Sequence, residues 1–195
     1  VSMKLYSRKT KETFWVSTYH MPCAFKNPDM MTVHASLALK RLQMLAGAGP
    51  EEPKEGEEPK EKLPYVLMGD FNFKPEDGMY TLYTTGTLET TSPAYPSSRV
   101  GIPKGVKFDF NPDVVPVRSA YVEANGEEPE YTNNARVQEM PHFMEALDYI
   151  FISDEWSVNQ VESLDYLPSK EEQDEPFPNE MEPSDHVLIA AHLSL

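Results

Sequence analysis

Tyr65-Val66-Leu67-Met68-Gly69-Asp70-Phe71-Asn72 is the stretch on which the reading of this chain turns. Four apolar residues in an unbroken run are the pattern of a strand buried on both faces, and this run ends in a carboxylate and an amide. Upstream, residues 13–19 (Thr-Phe-Trp-Val-Ser-Thr-Tyr) are aromatic and β-branched and predict a second buried strand, with His20 at its end. Between the two, Asn27-Pro28 supplies a helix start, Asn as N-cap and Pro in the first turn, and Gly47 and Gly49 stop the helix after about Ala46. Met31, Ala35, Ala38, Leu42 and Leu45 recur at helical spacing, and Met30, Val33 and Leu37 widen the stripe. The expectation is strand, helix, strand, with the helix laid on the sheet.

Further along, residues 49–62 are Pro, Glu and Lys with almost nothing to bury, and predict an acidic surface insertion. A short helix is expected near residues 78–84, and loop across 85–117, where Pro, Ser and Gly are frequent. Residues 146–153 (Ala-Leu-Asp-Tyr-Ile-Phe-Ile-Ser) predict another buried strand, residues 157–166 a segment pairing beside it, and residues 187–195 a final strand. Residues 2–6 already read as strand, so the chain opens inside a sheet. Strands joined by one long helix and then by long loops imply a mixed α/β sandwich.

At 195 residues the chain has room for one well-buried domain. With 9 Phe, 10 Tyr and 2 Trp it can fill a core, and its 18 Pro fit long ordered loops. The single cysteine, Cys23, excludes an internal disulfide framework and points to a reducing, intracellular and cytoplasmic setting. No apolar run is long enough to span a bilayer, and no targeting peptide is visible. The net charge of −15 argues against capture of long duplex nucleic acid and favours a small or single-stranded substrate.

Three polar clusters stand at the same place relative to their strands. Asp70 and Asn72 follow one, Asp148 interrupts one, and Asp185-His186 precede one. A carboxylate at the rim of a buried strand costs several kcal/mol unless something compensates it, and gathering all three around one cation would do so. Hard oxygen ligands suit magnesium or manganese, and no Cys/His spacing suits structural zinc. The bland alternatives are that Asp70 and Asn72 cap a turn and that His20 is a satisfied structural histidine.

In this order and context, Gly69-Asp70-Phe71-Asn72, Leu147-Asp148-Tyr149 and Ser184-Asp185-His186 resemble the motifs of the endonuclease/exonuclease/phosphatase superfamily, and Thr18-Tyr19-His20 resembles its strand-end Thr-His element. Tyr131-Thr132-Asn133, Phe143 and the run Leu147-Asp148-Tyr149-Ile150-Phe151 are most similar to its deadenylase and nocturnin branch. The resemblance implies a four-layer α/β sandwich of the deoxyribonuclease-I-like type, here mainly its C-terminal half. It implies metal-dependent hydrolysis of a phosphodiester in single-stranded RNA or a related nucleotide. Asp70 and Asn72 would orient water and bind magnesium, Asp185 and His186 would bind metal and phosphate, and Asp148 would orient His186. His20 would donate to a phosphate oxygen. Asn133 and Phe143 would hold and stack a nucleobase.

The family pattern also takes an Asn and a Glu from its N-terminal half, and this chain begins after the point where they would occur. The expectation is a part of a longer domain, hydrolytically weak alone, whose partner is the N-terminal half. The runner-up readings are a phosphatase on a small nucleotide or inositol phosphate, and a non-catalytic module that keeps the fold.

Overall fold

A computed structural model describes residues 1–49, 61–96, 110–137, 140–180 and 182–195. The expected acidic insertion lies almost wholly outside the described residues. Strands β1 (Ser2–Tyr6) and β2 (Thr13–Thr18), helix α1 (Pro28–Leu45) and strand β3 (Tyr65–Asp70) come first. Helix α2 (Gly78–Thr85), the two-residue strand β4 (Arg118–Ser119) and helix α3 (Ala120–Asn125) follow. Strands β5 (Asn133–Val137), β6 (Met140–Glu145), β7 (Asp148–Ile152), β8 (Ser157–Val161) and β9 (Ala191–Ser194) complete the chain.

Five strands form one sheet in the order β1-β2-β3-β7-β4. Strands β2 and β3 are parallel, as a helical crossover through α1 requires, and β7 runs antiparallel beside β3. The apolar run at β3 is legible in this packing. Tyr65 and Leu67 join the core under α1 and α2, while Val66 and Met68 face the opposite cluster with Ala120, Tyr121 and Trp156. In β7, Tyr149 and Phe151 take the first side and Ile150 and Ile152 the second, the two-residue alternation of a strand covered on both faces. The first core is aromatic: Phe71 packs edge-on against Tyr83 and Phe151, and Phe73 stacks on Tyr149.

Several expectations are corrected. Asn27 does stand before α1, but its side chain makes no capping bond. The apolar stripe of α1 is narrower than the spacing suggests: Met31, Ala35, Leu39, Leu42 and Ala46 are buried, whereas Leu37 is 60 % exposed and Met30 also faces outward. Strand β8 pairs with β9, not with β7, and the last strand starts only at Ala191. Strands β5 and β6 form a separate hairpin that the sequence did not announce. Among the described residues no helix is long and apolar enough to cross a membrane.

Candidate active site

The β3–β7 register sets Asp70 directly opposite Asp148, so both carboxylates leave the sheet on one side. Like charges opposed in this way repel, and each needs compensation. The close approach of β2 supplies part of the frame. Gly69 has φ +140°, and a Cβ there would lie 2.1 Å from the Tyr19 carbonyl oxygen, so only glycine lets the two strand ends meet. Tyr19 N–H donates to the Met68 carbonyl at 3.0 Å and Met21 N–H to that of Asp70 at 2.9 Å. This fixes His20 beside the aspartate, its Nε2 3.3 Å from Asp70 Oδ2, with the imidazole 77 % exposed.

Asn72 adopts the left-handed conformation at φ 51°, which Asn tolerates better than most residues. Its main-chain N–H donates to Asp70 Oδ1 at 2.9 Å, and its Nδ2 donates to Asp70 Oδ2 at 3.1 Å and to the Met21 carbonyl at 2.8 Å. Asp70 therefore does cap a turn, and the same turn clamps its carboxylate in place. Burial raises the Asp70 pKa above the ordinary carboxylate value; the Asn72 amide opposes that, and the negative charge of Asp148 adds to it.

His186 Nδ1 lies 2.7 Å from Asp148 Oδ2, and its Nε2 lies 3.9 Å from Asp70 Oδ2. The hydrogen bond to Asp148 is the main reason its pKa is raised, against partial burial. One ligating atom each from Asp70, Asp148 and His186 lies within 4.8 Å of the others, a donor set that suits a divalent cation. Asp185 does not join that group: its side chain is exposed, though its charge helps raise the His186 pKa. Its main-chain carbonyl is used instead, accepting from Asn134 N–H at 2.9 Å and Asn133 Nδ2 at 3.1 Å.

Asn133 is 3 % exposed, so its amide serves chiefly to hold the turn that carries His186. Phe143 lies partly exposed in β6 opposite Ala135, on the hairpin face it shares with Glu145. Sequence reasoning gave no role to Thr132, yet its Oγ1 lies 2.7 Å from Asp148 Oδ2. The one available signal was its place inside the Tyr131-Thr132-Asn133 motif.

The sheet and this polar cluster define the class, and a family profile agrees. The Endonuclease/Exonuclease/phosphatase family matches residues 50–186, and the chain belongs to that family. Within it the chain stands with the deadenylase-like branch. Over 135 residues it is 33 % identical to the "CCR4-Not complex 3'-5'-exoribonuclease subunit Ccr4" of Phaeosphaeria nodorum, a match covering 66 % of this chain and 20 % of that one. The human nocturnin catalytic domain with bound sulfate aligns over 99 % of this chain and 51 % of its own, at TM-score 0.58 and 17 % identity. ANGEL2, described as a 2',3'-cyclic phosphatase and solved with adenosine-2',3'-vanadate, aligns over 99 % and 65 %, at TM-score 0.63 and 18 % identity. The chain thus spans about a fifth of the length of the curated relatives it matches and about half of the nocturnin domain.

Proposed function

We propose that this chain carries part of the catalytic site of a metal-dependent phosphodiesterase that removes nucleotides from single-stranded RNA. The observation that supports it best is the convergence of Asp70, Asp148 and His186, drawn from three distant parts of the chain, within ligand reach of one another. The name of the Ccr4 relatives supplies the substrate class. Asp70 and Asp148 would hold magnesium or manganese; of the further oxygen donors expected from the sequence, Asn72 stands beside Asp70, whereas Asp185 keeps its side chain outside that group. When bound, the cation supplies charge neutralisation at the phosphoryl oxygens.

The chain's own residues do the rest. Asp70, clamped by Asn72, accepts a hydrogen bond from the attacking water and keeps it in line with the phosphorus. His186, held toward its cationic form by Asp148, donates from Nε2 to a phosphate oxygen. His20, on the exposed rim, offers a second donor. Phe143 presents a partly exposed ring for a nucleobase, and Asn133 steadies the turn that carries His186. The single described cysteine, Cys23, is free and exposed, which suits a reducing, cytoplasmic setting.

Magnesium-dependent shortening of a 5'-labelled oligoadenylate by the full-length protein tests the proposal. Asp70→Asn is expected to lower kcat/KM by about 10²–10⁴-fold. Full-length protein that leaves the oligomer intact with either magnesium or manganese would overturn it. A second reading, a phosphatase on a small nucleotide, draws on the −15 charge, which disfavours a long polyanion. Turnover of a mononucleotide or dinucleotide phosphate, with none of the oligomer, would select it.

A further inference from the structure

Thr132 is fully buried, and every polar group it owns is in use. Its Oγ1 accepts the N–H of Leu147 at 2.9 Å and the N–H of Asp148 at 3.0 Å. A hydroxyl has two acceptor positions and one hydrogen, so these two amides leave its hydrogen a single destination, Asp148 Oδ2 at 2.7 Å. Its main-chain N–H donates to the Glu145 carbonyl at 3.1 Å, and its carbonyl accepts from Val187 N–H at 2.9 Å. One residue thereby fastens the start of β7, which carries Asp148, to the segment that carries His186.

We propose that Thr132 is a positioning residue of the site, whose hydroxyl hydrogen, given a fixed direction by two backbone amides, sets the orientation of the Asp148 carboxylate and through it that of the His186 ring. This deepens the phosphodiesterase reading and rests on it. Asp148 Oδ2 already receives the threonine hydrogen and is held as an acceptor. His186 Nδ1, 2.7 Å away, must then carry its own hydrogen to complete the contact. That leaves Nε2 as the nitrogen turned toward Asp70 and the reacting phosphate. Without the threonine hydroxyl the carboxylate can turn to capture the freed amides of residues 147 and 148, and the imidazole loses the fixed partner that aims its Nε2 at the phosphate. The effect belongs on turnover more than on substrate affinity, because Thr132 is buried and does not face the cleft.

The test compares Thr132→Val, which keeps the shape and removes the hydroxyl, with Thr132→Ser, which keeps the hydroxyl, in the full-length protein. Thr132→Val is expected to lower kcat on oligoadenylate by about 10–100-fold with little change in KM, and Thr132→Ser to restore most of it. Proton and nitrogen-15 spectra of the imidazole should show the Nδ1 hydrogen of His186 strongly deshielded by its bond to Asp148 in wild type and Thr132→Ser, and markedly less so in Thr132→Val. Wild-type kcat in Thr132→Val, equal losses in both variants, or an unchanged Nδ1 proton signal would overturn the proposal. If Thr132→Val does not fold, a slowly exchanging hydroxyl proton with a cross-peak to the Asp148 amide in wild type is the required sign, and its absence overturns the proposal. A wild-type protein that cleaves no RNA removes the phosphodiesterase reading, and the imidazole spectrum then decides on Thr132 alone.

Discussion

At the scale of the residue, the site is an arrangement of carboxylates that other side chains hold still. Asp70 is gripped by Asn72 from both its main chain and its amide, and Asp148 by Thr132 and His186. Away from the site, a different carboxylate stores a pH dependence. Glu128 accepts from Tyr80 Oη at 2.8 Å, and burial is the chief cause of its raised pKa, opposed by hydrogen bonds from Ser119 and Tyr80. A raised acid favours the fold fully below its unfolded pKa, and that contribution is lost as pH rises through the folded value. Glu128→Gln keeps the hydrogen bonds and removes the charge. It should therefore melt higher than wild type at about pH 7 and no higher at about pH 4, read by thermal denaturation at the two values. Equal shifts at both would place the cause elsewhere.

At the scale of the element, α1 separates what a sequence reveals from what it hides. Its span is legible because Pro28 and the glycines after Ala46 bracket an apolar repeat, and β3 and β7 are legible because both their faces are covered. Which residues of the repeat point inward is less so, since several neighbouring apolar positions fit almost the same angle and only the docking of α1 selects among them. Leu39→Ala should cost about 2–5 kcal/mol in chemical denaturation, whereas Leu37→Ala should stay within about 0.5 kcal/mol. Gln43 is equally hidden: buried in α1, it donates to Tyr65 Oη and the Val115 carbonyl and accepts from Val115 N–H. The β5–β6 hairpin escaped notice because Asn133-Asn134-Ala135-Arg136-Val137 has no alternating apolar pattern; the amide nitrogens of its two buried asparagines donate to the carbonyls of Asp185 and Glu175. Thr132 escaped for the same reason. Asp70, Asp148 and His186 stood out because charge or imidazole at the border of an apolar run is costly, while a threonine there is ordinary until its partners are known.

At the scale of the whole molecule, the acidic segment after α1 has ends that already meet, for Leu63 N–H donates to the Ala46 carbonyl at 2.8 Å. Replacing residues 50–60 by a two-residue linker should leave activity of the full-length protein unchanged and its melting temperature unchanged or slightly raised, because a shorter loop costs less entropy to close. Loss of activity in that deletion would give the segment a role that its composition does not suggest. The two sides of the site are also moored differently. Asp70 and Asp148 belong to interior strands of the five-stranded sheet, whereas His186 rides on an irregular segment tied to the two-stranded β5–β6 hairpin. In deuterated water the amides of β3 and β7 should surrender their hydrogens only with the entire domain, and those around His186 much sooner. Exchange in that order would mean an imidazole that leaves and returns while the carboxylates keep their places.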